Sequence, residues 1–422
     1  MTAEHAVAAW HDRLAALPTG HWRRYALIAA QIGATSVLVS AFFKPPFATV
    51  GLAVALAGLL ASGAPLRRMP AFWIGVAYAA WISASGLIGV LAGVDGARLR
   101  PAGPAWTWLA MPAVALAFAR PADFVRLLRV VAVVVAGCAM LAVLQFLIGL
   151  GGGPLRIDPE GVRLTIARGW SELHLTFGLL CALLLAVGLH QDAARSVGPA
   201  WIWLLRLGAG IGLLVCGARS AVLAALAGIG ASFAVRSRRH LLIGALAVAA
   251  LGGVLIARMA LTDPGRLQRT MQLQDGRWPI WRTSVHLIKE RPISGWGGQT
   301  AFQRAFRDAY ATVNPGSTPE FADGAPHAHN SGLALVSQFG APALVLHSAL
   351  WLAVLLWLWR RRHEHPAAWQ VGVAVAATAF VGGLFESYTT RVMQGVAMHA
   401  ALGAAIALAL QRRSPDAQPA SG

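Results

Sequence analysis

Apolar runs recur along almost the whole chain, broken by short polar stretches, and each is about the 20 residues a helix needs to cross a hydrocarbon core. The pattern predicts about twelve spans, near 25–43, 47–63, 71–92, 104–119, 124–149, 173–190, 200–217, 219–235, 240–260, 330–359, 366–387 and 391–411. The fourth is short, and the seventh and eighth are separated only by "CGARS", which predicts a tight turn. Two breaks are long, 151–172 and 261–329, and the second exceeds any simple connector. It holds two helix-like pieces, "PIWRTSVHLIKE" and "GQTAFQRAFRDAYATV", joined by the Pro/Gly turn "PISGWGG". In the latter piece Phe302, Phe306 and Tyr310 recur at i, i+4 and i+8, a face expected to pack on its neighbours or rest on the membrane. The chain divides into spans one to nine (1–260), a large loop (261–329), spans ten to twelve (330–411) and a polar tail (412–422) of disordered composition.

Composition agrees with the pattern. The 422 residues are 57% hydrophobic and only 12% charged, against about 25% charged in soluble domains. The expected fold class is therefore an all-α polytopic membrane protein. The cysteines Cys138, Cys181 and Cys216 all fall in or at the end of apolar runs, offer no metal-ligand spacing and read as small core hydrophobes. A net charge of +18 invites a nucleic-acid reading, but the arginines are scattered between apolar runs and form no continuous basic face.

The charge instead reports sidedness. One alternating set of loops carries "HWRR", "PLRRMP", "ARPADFVRLLR", "AARS", "VRSRRH", "WRRRHEH" and "QRRS"; the other short loops carry only Lys44, Arg98, Arg100, Arg219 and Arg391. The positive-inside rule then puts both termini in the cytoplasm and the two long loops outside. No cleavable signal peptide precedes the first run.

Most arginines of the long loops, with Asp263, Asp275, Glu290, Asp308, Glu320 and Asp323 beside them, read as solvated surface. Arg219 differs, because it lies between two apolar runs with almost no loop. An arginine at the hydrocarbon edge costs a few kcal/mol unless it is paired or reaches water. Two readings stand side by side: a snorkelling interfacial anchor, or a fixed cation between helices, suited to phosphate. "HAHN" closes the large loop and opens the tenth span. His329 falls at the helix start, where the dipole favours neutral imidazole, the form a general base requires. Asn330 is placed to cap the helix or orient a substrate, and His327 reads first as an ordinary loop histidine. H-x-H alone supplies too few zinc ligands.

"HNSGLALVSQFGAPA" resembles the H-[N/S/Q]-x9-G-x-x-G pattern of bacterial O-antigen ligases, within the O-antigen ligase/polymerase superfamily; His329, Asn330 and Gly340 match, and Ala343 stands at the final glycine. "GRWPIWRTSVHLIKERPISGWGGQTAF" resembles the arginine-containing segment of that family's outer loop, and "CGARSAVLA" its short element between adjacent helices. The resemblance covers roughly 155–400. It implies a glycosyltransferase of GT-C-like architecture in the bacterial inner membrane. The resemblance further implies a glycan donor carried on undecaprenyl pyrophosphate, the lipid A core oligosaccharide as acceptor, and a periplasmic active site.

Such chemistry needs a base for the acceptor hydroxyl and cations for the leaving pyrophosphate. His329 is the expected base. Arg219 and Arg277 are the expected pyrophosphate ligands, with Arg282 next and Arg163 or Arg168 further candidates; Asn330 and His327 are assigned to orienting substrate. Pyrophosphate leaves well, and no DxD-like acidic pair appears at an outer helix end, so no metal or other cofactor is expected. Glu386 is the nearest lone acid there, and pairing with Arg391 is its preferred reading. Direct attack by one acceptor inverts the anomeric centre. The alternatives are an O-antigen polymerase, a protein O-oligosaccharyltransferase and, in another class, an anion or lipid transporter.

Overall fold

The computed structural model describes residues 2–18, 20–40, 45–98, 103–148, 156–158, 161–163, 174–188, 197–216, 218–236, 253, 277–316 and 327–411. Helix α1 (Ala3–Ala16) is followed by α2 (Trp22–Ser40), α3 (Pro45–Ser62), α4 (Phe72–Leu91), α5 (Pro104–Thr107), α6 (Ala110–Ala117) and α7 (Pro121–Ile148). Two three-residue strands, β1 (Arg156–Asp158) and β2 (Gly161–Arg163), pair antiparallel with Ile157 opposite Val162. Then come α8 (His174–Gly188), α9 (Pro199–Val215), α10 (Arg219–Ala234), α11 (Arg277–Glu290), α12 (Gln299–Val313), α13 (Ser331–Phe339), α14 (Ala341–Arg360), α15 (Pro366–Phe385) and α16 (Val392–Leu410).

Among the described residues, five helices are long and apolar enough to cross a membrane: α4, α7, α14, α15 and α16. Shorter apolar helices occupy the expected positions of the third, fourth, sixth, seventh and eighth spans. The chain is a multi-pass membrane protein. The ninth expected span, 240–260, lies outside the described residues apart from position 253, as does the tail 412–422.

Three elements depart from the hydropathy reading. The fourth span is two short helices, α5 and α6. The long outer break at 151–172 contains the β-ribbon. The tenth span is broken at Gly340 into α13 and α14. Gly340 adopts φ +81°, a left-handed conformation that glycine accepts freely, and a Cβ there would overlap the Ile293 carbonyl. The Pro/Gly turn foreseen at "PISGWGG" docks into this break. Trp296 N donates to Ser337 O at 3.0 Å, Gly297 N to Gln338 O at 3.0 Å, and Ala341 N to Pro292 O at 2.8 Å. From α4, Trp81 Nε1 donates to Phe339 O at 2.8 Å and Ser85 Oγ to Ser294 O at 2.6 Å. These bonds satisfy the carbonyls freed where the helix stops, and they weld the turn after α11 to the spans.

Helix α16 is the centre of the bundle: nearly all of its residues are buried, and it packs against α6, α8 and α15. Alanines line the α2–α3 contact, with Ala30, Ala34, Ala48 and Ala55 fully buried, so the two backbones approach closely. Cys138, Cys181 and Cys216 are buried, as the sequence implied. The apolar face of α12 packs rather than floats: Phe302, Phe306 and Tyr310 join Ile280 and Leu287 of α11 and Ala334 of α13 in a second small core.

Helix α1, absent from the hydropathy pattern, braces the opposite end. Trp10 is buried and donates Nε1 to Ser62 O at 3.0 Å. Arg24 donates to the carbonyls of Leu14 and Ala15, Arg120 donates to His11 O at 3.2 Å, and Glu4 pairs with Arg361. These partners are the α1-side ends of α2, α3, α7 and α14. Arginines lie over tryptophans at this same end: Arg129 on Trp201, Arg206 on Trp203, Arg361 on Trp357 and Arg362 on Trp359. Such amphipathic pairs suit a membrane–water boundary.

Candidate functional site

The site lies at the end of the bundle away from α1, where α13 begins and α15 ends. Asn330 is the N-cap of α13. Its Oδ1 accepts from Leu333 N at 3.0 Å, satisfying one of the helix's orphan donors, while its Nδ2 donates to Leu384 O at 3.2 Å. The next residue continues the stitching. Ser331 Oγ donates to Glu386 O at 2.8 Å, and Thr389 Oγ1 donates to Ser331 O at 3.2 Å. The start of α13 is thus sewn to the turn Tyr388–Thr390 that joins α15 to α16.

This stitching fixes His329. Its backbone sits at φ +47°, an uncommon region for a residue with a Cβ, held between the loop and the capped helix. The ring turns its buried Nδ1 toward Glu386, 3.4 Å from Oε2, in ion-pair range but not aligned as a hydrogen bond. The other carboxylate oxygen, Oε1, accepts from Arg277 Nη2 at 3.4 Å. The Glu386 side chain is only 5% exposed, whereas His329 and Arg277 remain 32% and 34% exposed. A buried carboxylate therefore holds an imidazole and a guanidinium, each with a face open. The Arg277 guanidinium also lies over the Phe385 ring, 5.9 Å from its centroid.

Two more residues tune the surroundings. Arg391 is half-buried beside Glu386, and burial pulls its pKa below the ordinary arginine value while the carboxylate opposes the shift. The His327 ring stands 6.5 Å from that of His329, nearly perpendicular to it. Burial, then the charge of Arg391, pushes its pKa down to about 4, so it is neutral at ordinary pH.

Arg219 is the first residue of α10, and its side chain is exposed. Ser220, next to it, is buried near the hydroxyl of Tyr388, and Ala224 one turn on lies beside Gly382 near the end of α15. The start of α10 thus abuts the turn that follows Glu386. Arg282, five residues along α11 from Arg277, is exposed on a different flank and makes no contact with Glu386. Arg163 lies in β2, and Arg168 lies outside the described residues.

Glu386 is the residue that sequence reasoning undervalued. Its pairing with Arg391 was the preferred reading; in the structure its direct partners are Arg277 and His329 instead, and Arg391 acts on it as a nearby charge. A signal existed: an acid followed by "SYTTR" at the outer end of a span offers hydroxyls and a cation that no lipid-facing turn requires. Among the described residues, no three His, Cys, Asp or Glu side chains cluster as metal ligands.

Fold and site together define a multi-pass helical membrane protein with a histidine–glutamate–arginine constellation at one end of its bundle. Residues 204–348 match the family described as O-Antigen ligase, about a third of the chain. The matched stretch runs from α9 into α14 and contains Arg219, Arg277, Arg282, His327, His329 and Asn330. No curated protein matches the chain.

Proposed function

We propose that the protein is an O-antigen ligase that transfers a glycan from undecaprenyl pyrophosphate to the lipid A core oligosaccharide at the periplasmic face of the bacterial inner membrane. The contact of one buried carboxylate with both His329 and Arg277 carries this reading, because it joins the two components the reaction needs. The positive-inside asymmetry supports the sidedness: the arginine-rich end braced by α1 is the cytoplasmic one, and the opposite end is periplasmic. A GT-C-like arrangement, with a site above the spans, belongs to the same reading.

In this mechanism the acceptor hydroxyl gives its proton to His329 as its oxygen attacks the anomeric carbon. The new glycosidic C–O bond forms while the bond to pyrophosphate breaks, and the configuration inverts. Nδ1 faces Glu386, so the open edge of the ring takes the proton, and the carboxylate stabilises the imidazolium that results. The prenyl pyrophosphate leaves with both bonding electrons. Arg277 and Arg219 hold its developing charge, and preorganised cations of this kind contribute several kcal/mol of barrier lowering. These groups serve without a metal ion. Neutral His327 and the cap residue Asn330 border the acceptor.

The test is transfer by purified protein in nanodiscs given lipid-linked glycan and lipid A core, with and without chelator. Glycan on the lipid A core that persists with chelator supports the reading. Longer lipid-linked chains instead would make the protein a polymerase, and no covalent product would return it to transport.

A further inference from the structure

Helix α11 is pinned at both ends to the site end of the spans. Its first residue, Arg277, reaches Glu386 just beyond α15, and the turn after its last residue bonds to Ala341 at the head of α14 and to Ser85 of α4. At 1.5 Å per residue its 14 residues span about 21 Å. The helix therefore runs across the span ends, at the level where the bilayer surface meets the bundle. One face is fully used: Ile280, Thr283, Ser284 and Leu287 are buried against α12 and α13.

The other flank is open. Trp278, Arg282, Val285 and Lys289 follow at i, i+4, i+7 and i+11, and all four are exposed. Among the described residues, no carboxylate lies within ion-pair range of Arg282 or Lys289; Glu290 is taken up by His286 at 3.1 Å. Ile293 extends the stripe and is 60% exposed. It stands at the head of α14, whose own exposed stripe of Val345, Leu352, Leu356 and Trp359 is apolar and faces lipid along a span. A tryptophan and aliphatics alternating with exposed cations, continuous with a lipid-facing stripe, match an interfacial helix lying on anionic headgroups.

We propose that this flank of α11 is seated in the headgroup layer of the bilayer leaflet at the site end. Trp278, Val285 and Ile293 reach the acyl boundary, and Arg282 and Lys289 meet lipid phosphates. Arg282 then serves the membrane rather than the reacting pyrophosphate, and Arg277, on the same helix, is carried at headgroup height. The inference is independent of the transfer chemistry and stands or falls separately from it.

The experiment places nitroxide labels at Val285→Cys, Ile293→Cys and, on the exposed side of α12, Thr312→Cys, with full-length protein in phosphatidylglycerol-containing nanodiscs. The native cysteines are buried and do not compete for label. The expected result is oxygen accessibility above nickel-chelate accessibility at 285 and 293, with the order reversed at 312. Combining Arg282→Glu and Lys289→Glu should lower the oxygen-to-nickel ratio at 285 severalfold; an unchanged ratio overturns the phosphate contacts. Water-like accessibility at 285 and 293 overturns the seating, whether or not added lipid-linked glycan later protects those positions, since protection by glycan would make the flank a sugar surface.

Discussion

Glu386 and His329 face each other across 3.4 Å, carboxylate Oε2 to imidazole Nδ1, although they lie 57 positions apart in the chain. The contact exists because the α13 cap and the turn after α15 are sewn together by Ser331 and Thr389. Glu386→Gln keeps the shape and removes the charge. Transfer should fall by about 10²–10⁴-fold, with donor binding retained, and Glu386→Asp should recover part of the loss. Single-turnover transfer under donor saturation reads this directly, and a near-normal rate in Glu386→Gln would free His329 from any dependence on the carboxylate.

The arginines should separate by position. Arg277→Ala and Arg219→Ala should each weaken donor use by tenfold or more, about 1.4 kcal/mol at least. Arg282→Ala should cost far less, because its side chain lies on the open flank of α11. Comparing donor KM and kcat across the three variants checks the ranking.

Gly340→Ala should damage the fold rather than the chemistry. The positive φ and the overlap with the Ile293 carbonyl together cost about 1–3 kcal/mol or force the outer loop away from α14. A lower unfolding temperature in detergent, with activity lost in proportion, is the expected outcome; an unchanged midpoint would mean that the break tolerates a side chain.

Acid should loosen the α1 end. Burial, then the charge of Arg120, pushes the pKa of His11 down to about 4 from 6.5. Between those values the unfolded chain takes a proton that the folded one refuses. The stability is complete above about pH 6.5 and declines as pH falls toward 4, by up to ~3 kcal/mol for this group. His327 adds a contribution of the same sign. His11→Phe should flatten the pH dependence of the unfolding midpoint across that window.

The apolar helices were legible because hydrophobic length is a one-dimensional signal, His329 and the Asn330 cap because both sit beside a helix start, and Arg277 through the family resemblance of its segment. What hydropathy misses is direction. An apolar run looks the same whether it is one helix or two, so the break at Gly340 showed only in a glycine followed by Pro342. Arg277 and Arg282 rank first and next from the same stretch of sequence, and the structure separates them by the side of α11 they occupy. Glu386 has Arg391 as its nearest cation in sequence, and its partners from α11 and the loop emerge only when the chain folds back. Helix α1 carried a periodic signal at Val7, Trp10 and Leu14 that was too short and too polar to register as a span.

Glu4 and its partner Arg361 are 357 positions apart. The N-terminal helix leaves the ribosome first, yet the platform it docks on, built from the ends of α2, α3, α7 and α14, is complete only once residue 361 has been made. It therefore waits undocked until α14 has been made, and sealing that end of the bundle cannot precede that point of synthesis.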